Sequence, residues 1–139
     1  MVVFIAQESI SLVPPEEPSA VVESSIKALE ELSLANMLIF QKASGAIMLD
    51  LRDEQFYRYS HIAGSINLPL DNFSSKLYKK LLKRLKSSAN IIIYSNAYAN
   101  DELRHAVEVL AKNGIKDVKV YSAGWEEWKA CKLPVEKSK

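Results

Sequence analysis

The chain is poor in sulfur and in histidine, and it carries no excess of either charge. Cys131 is the only cysteine among 139 residues. A single thiol excludes an internal disulfide and a multi-cysteine metal site, and it agrees with a reduced, cytoplasmic setting. The formal net charge is +1. Bulk charge therefore gives no argument for nucleic acid or a membrane surface as partner. Two histidines are present, His61 and His105, and neither sits in a cluster with metal-ligand spacing. No metal or cofactor is expected. The apolar run Val2–Ile5 is expected to be too short for a signal peptide or a membrane span, and no basic stretch precedes it. Internal repeats and low-complexity tracts are also lacking.

What is present suits one globular domain with one core. Apolar residues make up 48% of the chain and charged residues 25%, both ordinary for a soluble protein. Residues 1–8 read as an edge strand or arm. Pro14, Pro15 and Pro18 mark a loop, and Val22, Ile26 and Leu29 predict a helix over 19–32. Residues 1–32 thus form an extension. Ser33 caps a predicted helix from Leu34 to about Lys42. A buried strand follows over 46–51, then a loop over 61–69. Asp71 to Ser74 offer caps for a helix ending near Lys86. A strand over 91–94 runs through a loop into a helix that Gly114 ends. Another strand over 117–121 turns at Ala123-Gly124 into a short helix carrying Trp125 and Trp128. The polar tail, 136–139, is expected to fray. This alternation predicts an α/β domain over 33–135. Its sheet is mainly parallel with about five strands, and helices cover both faces. A ligand site belongs at the carboxyl ends of such strands.

Three motifs carry chemical information. The first is Leu49-Asp50-Leu51-Arg52, with Glu54 and Phe56 after it. The second is His61-Ile62-Ala63-Gly64-Ser65-Ile66-Asn67-Leu68-Pro69. The third runs from Val118 through Gly124 to Trp128. Together, at these separations, they resemble the rhodanese-like (thiosulfate sulfurtransferase-like) family. The resemblance implies a fold in which the strand before a helix ends in a persulfide-carrying cysteine. It places that position at Ser95, with Ala97 as the alternative register. It implies structural roles for Asp50, Arg52, His61, Gly64, Gly124 and Trp128, with Asp50 and Arg52 fixing neighbouring loops by charge pairing.

This chain departs from the family at the loop itself. Ser95, Asn96, Ala97, Tyr98, Ala99, Asn100 and Asp101 form a degenerate active-site loop. No residue from 91 to 103 is a cysteine, and 95–102 contain no cation, although the family carries an arginine or lysine there. A thiolate is accessible because a thiol pKa is about 8.5 and a helix N-terminus lowers it. A serine hydroxyl stays protonated, needs a general base and forms no persulfide. Asp101 and Glu102, in the first helical turn, complement the helix dipole and repel an incoming anion. A cysteine placed at 95 is expected to have a pKa modestly below the free value.

Several readings follow. One is a pseudoenzyme acting as a regulatory or protein-interaction module. Another is an active enzyme that uses Cys131 or a partner's thiol, or Ser95 with a base such as His105. A third is a cysteine-to-serine form of an active sulfurtransferase. Lys76, Lys79, Lys80, Lys83, Arg84 and Lys86 form a cationic helix face, either solvated or docked to an acidic partner. It lacks the interleaved aromatics that nucleic-acid binding would use. Val2–Ile5 could pair with a second copy's sheet edge and make a homodimer. Tyr57, Tyr59, Tyr94 and Tyr98 place aromatics around the loop.

Overall fold

The computed structural model describes residues 30–43, 45–88 and 90–138. Five parallel strands form the main sheet: β1 (Glu30–Glu31), β2 (Ile47–Asp50), β4 (Ile66–Asn67), β5 (Ile91–Tyr94) and β6 (Val118–Tyr121), in the order β1-β6-β5-β2-β4. The helices are α1 (Leu34–Phe40), α2 (Glu54–Tyr59), α3 (Lys76–Ser87), α4 (Asn100–Lys112) and α5 (Gly124–Ala130). A second, antiparallel pair joins β3 (His61–Ile62) to β7 (Val135–Glu136). The α/β class, the parallel sheet and its strand number agree with the expectation from sequence.

Strand alternation divides the core in two. Ile47, Leu49, Ile91, Ile93, Val118 and Val120 meet Tyr78, Leu81 and Leu85 of α3 and Leu103, Ala106 and Leu110 of α4. Met48, Ile92, Tyr94 and Tyr121 meet Met37 of α1 and Trp125 and Trp128 of α5. A parallel sheet covered on both sides needs apolar residues at successive positions, which is why Ile91-Ile92-Ile93 reads as a run. Two caps come from serine side chains. Ser33 Oγ accepts from Asn36 N at 3.2 Å, and Ser75 Oγ from Tyr78 N at 3.1 Å.

The structure corrects several expectations. The helix predicted over 19–32 does not extend through its end, because Glu30–Glu31 is β1 and Leu32 N donates to Val120 O at 2.7 Å. The open edge of β6 supplies partners that local spacing cannot reveal. Residues 1–29, which hold the expected edge strand and proline loop, lie outside the described residues. Residues 136–138 of the tail are held against the domain, and Lys139 lies outside the described residues. Glu136 pairs with His61 in the β3–β7 ladder, its Oε1 accepts from Gly64 N at 2.9 Å, and Ser138 N donates to Arg58 O at 2.9 Å. The cap of α3 is Ser75, one residue beyond the range 71–74, and Asp71 lies in a 3-10 turn.

The strand order places one crevice. From β2 the chain moves outward to β4, then returns across β2 to β5 on its other side. The connections leaving β2 and β5 therefore diverge, and the space between their carboxyl ends is where an open parallel sheet accommodates a ligand.

Candidate functional site

A cleft of about 680 Å³ opens at that point. Leu51, Arg52 and Asp53 line it from the end of β2, and Phe56, Tyr59 and Ser60 from α2 and its exit. Ser95, Asn96, Ala97 and Ala99 line it from the loop after β5. Glu102 comes from α4, and Trp125, Glu126 and Lys129 from α5.

The floor is built from the first motif. Asp50 ends β2 and is fully buried. Its carboxylate accepts from Arg52 N at 2.9 Å, from Arg52 Nε at 3.0 Å, from Arg52 Nη2 at 2.8 Å, and from the Tyr94 hydroxyl at 2.5 Å. Arg52 Nη2 also donates to Ser60 O at 2.7 Å, and the guanidinium lies 4.6 Å from the Trp125 ring centroid. A buried ion pair persists only when its remaining donors and acceptors are occupied in this way. Burial, and then the Asp50 charge, raise the Tyr94 pKa far above the ordinary phenol value. The second motif wraps this floor. Asn67 Nδ2 donates to the carbonyls of Asp50 and Arg52 at 3.0 and 2.9 Å. His61 is buried, with Nδ1 2.7 Å from Tyr57 O and its ring stacked on Tyr57 at 3.7 Å. Gly64 occupies a positive φ of 87°.

The loop is held from behind by the third motif. Ser95 and Asn96 carbonyls accept from Trp125 N and Glu126 N, each at 3.0 Å. Gly124 makes this approach feasible, since a Cβ there would lie 2.4 Å from Ser95 O. Tyr98 N donates to Ser122 O at 2.7 Å, which holds Tyr98 at a φ of 49°. The Tyr98 side chain is 68% exposed and does not line the cleft. Asn100 opens α4, and Asp101 pairs with Arg104 at 3.2 Å. Trp128 belongs to the core, with Nε1 donating to Pro134 O at 2.8 Å.

Ser95 is itself buried, and its Oγ donates to Glu102 Oε1 at 3.0 Å. This contact was not legible in sequence, where Glu102 reads only as a carboxylate complementing the helix dipole. The cleft is also not free of cations, because Arg52 and Lys129 reach it from other segments. Lys129 follows Trp125 and Glu126 by four and three positions, and that helical spacing is the signal that could have found it. Phe56 and Tyr59 form an exposed aromatic rim. Tyr57 and Tyr94 instead belong to the floor network. His105 and Cys131 are exposed and are not among the residues lining the cleft. Among the described residues, no group of three His, Cys, Asp or Glu could hold a metal ion, and no helix is long and apolar enough to cross a membrane.

The Glu102 contact reverses the expectation for a cysteine at 95. A thiolate there would lie in a buried place beside a carboxylate, and both effects raise a thiol pKa. Ser95→Cys is expected to react with iodoacetamide at pH 7.5 more slowly than exposed Cys131. Adding Glu102→Gln should speed reaction at 95 by about tenfold, the effect of one pKa unit. Equal rates in the single and double variants would show that Glu102 does not govern the site.

Comparison with known proteins agrees with the geometry. Residues 33–131 match the model of the rhodanese-like domain. Thiosulfate sulfurtransferase GlpE of Pseudomonas fluorescens is 28% identical over 89 residues, which is 64% of this chain and 75% of that protein. An HTH-type transcriptional regulator of Mycobacterium tuberculosis is 27% identical over 111 residues, covering 77% of this chain. The match spans 45% of that regulator's length. A solved structure of a Bacillus halodurans protein superposes with a TM-score of 0.63 at 25% identity, covering 88% of this chain and 86% of the other. With the matched residues spanning both sides of the cleft, the chain belongs to the rhodanese-like domain family.

Proposed function

We propose that this rhodanese-like domain is a pseudoenzyme whose cleft serves recognition, in a regulatory or protein-interaction role in the cytoplasm. One observation carries the reading: the residue that follows β5, Ser95, is a hydroxyl bonded to Glu102 at 3.0 Å. Sulfur transfer through a persulfide needs a thiolate nucleophile. Here a residue that cannot form one is held by a carboxylate, which opposes any anion approaching it. The structural motif Asp50, Arg52, His61, Gly64, Gly124 and Trp128 then serves to hold the cleft's shape. Likeness to both a sulfurtransferase and a transcriptional regulator supports a fold used for more than one purpose. The exposed cations of α3 offer a second surface suited to an acidic partner.

The test is thiocyanate formation from thiosulfate and cyanide by the purified chain. No formation above background is expected. Turnover that survives alkylation of Cys131 would overturn the reading. Turnover lost on that alkylation would overturn it too, and would make Cys131 the reacting thiol.

A further inference from the structure

Resting on the non-catalytic reading, we infer that the cleft receives a cationic group, a guanidinium or an ammonium, with Glu102 as its counter-charge and Phe56 as its aromatic wall. The charges lining the cleft are Arg52 and Lys129 against Asp53, Glu102 and Glu126. Arg52 is committed to buried Asp50 at 2.8 Å, and Lys129 lies 3.5 Å from Glu126. Asp53 and Glu102 remain, both exposed and, among the described residues, in no ion pair. The surplus facing a guest is therefore negative. An anion would meet two carboxylates. An apolar guest would strip water from them without compensation. A cation avoids both costs.

The hydrogen bond from Ser95 fixes where Glu102 points. A carboxylate accepting one hydroxyl retains capacity for further donors, and a guanidinium or ammonium supplies several. Position 95 thus orients the carboxylate that contacts the guest. The walls suit the same chemistry. Arg52 lies over Trp125 at 4.6 Å, and the Lys137 ammonium lies 5.7 Å from the Tyr59 ring centroid. Two of the three aromatic rings lining the cleft already carry a cation of this chain. Phe56, 53% exposed, is the third, and a ring face attracts a cation through its quadrupole. The volume of about 680 Å³ accommodates an arginine or lysine side chain with its flanking backbone.

The guest could be a free amine or a side chain of a basic peptide, and two probes separate these. The full chain is titrated with arginine amide and with an acetylated pentapeptide bearing one central arginine, while backbone amide shifts are followed by NMR. Thiosulfate is the probe of opposite charge. Shifts are expected at residues 52–60, 95–102 and 125–129 with the cations, and not with thiosulfate. Glu102→Gln and Phe56→Ala should each weaken Kd by about three- to tenfold. Both positions are exposed, so the variants should keep the wild-type Tm. Tighter binding of the peptide would support a protein partner, and equal binding a small amine; either upholds a cationic guest. Unchanged affinity in both variants, no shift with either cation, or a preference for thiosulfate at these residues would overturn it. Loss of the guest with thiocyanate formation still absent removes this inference alone. Thiocyanate formation removes the reading beneath it.

Discussion

Asp50→Asn is expected to destabilise the protein by about 3–5 kcal/mol, the typical effect of removing one partner from a buried ion pair. The Arg52 side chain is 7% exposed and its carboxylate partner 0%. Asparagine retains one acceptor oxygen but loses the charge, and its amide adds donors among the donors of Arg52 and Tyr94. The guanidinium is then left buried and uncompensated. A domain's whole stability is about 5–15 kcal/mol, so the loss is a large share of it. Urea unfolding of the two forms measures it. Pairing Asp50→Asn with Arg52→Met removes the orphaned charge and should restore part of the difference. A single-variant loss below about 1 kcal/mol would mean that water or a moved side chain compensates Arg52. The site should respond as well, since Arg52 is the cation above Trp125 and forms part of the cleft floor.

Gly124→Ala should cost about 3–4 kcal/mol and should loosen the Ser95 loop. The backbone at 124 has φ +62°, and an added Cβ would lie 2.4 Å from Ser95 O and 2.8 Å from Asn96 O. Both neighbours are backbone, so no side-chain rotation relieves the collision. The left-handed conformation alone costs about 1–2 kcal/mol for a residue with a Cβ. Displacing the loop strains two hydrogen bonds, Trp125 N to Ser95 O and Glu126 N to Asn96 O, worth about 1 kcal/mol each. Gly64→Ala provides the comparison. Its φ is also positive, at +87°, but the nearest atom to an added Cβ is the flexible end of Met48 at 3.6 Å. It should therefore show the conformational cost alone, about 1–2 kcal/mol. Equal losses by the two variants would show that the loop yields freely. Amide shifts at residues 95–102 should move in Gly124→Ala and stay in place in Gly64→Ala.

Much of the architecture was legible because burial writes itself into local patterns. Ile91-Ile92-Ile93 lies between two helical layers, so consecutive residues are apolar. Tyr78, Leu81 and Leu85 share one helix face, and so α3 reads as a stripe. The elements that escaped lack such a signal. Helix α2 buries none of its residues, so no apolar period marks it. Strands β3 and β7 have two residues each and exist through pairing with one another across the chain. Likewise Glu30–Glu31 is a strand because β6 offers it an edge.

The same division holds for the candidate site. That no thiol lies between residues 91 and 103 is a matter of composition, and no folding can place a persulfide on those residues. The absence of loop cations and the acids at 101 and 102 are equally local facts. Only the tertiary structure decided what surrounds Ser95. The hydroxyl meets Glu102 seven residues on, in the first turn of α4. The cations that do line the cleft come from elsewhere in the chain, Arg52 from the end of β2 and Lys129 from α5. Side chains so distant in sequence share one cleft because the chain reverses its direction of travel across the sheet between β2 and β5. Contacts made by such a reversal depend on where whole strands pair, and neighbouring residues carry no record of them.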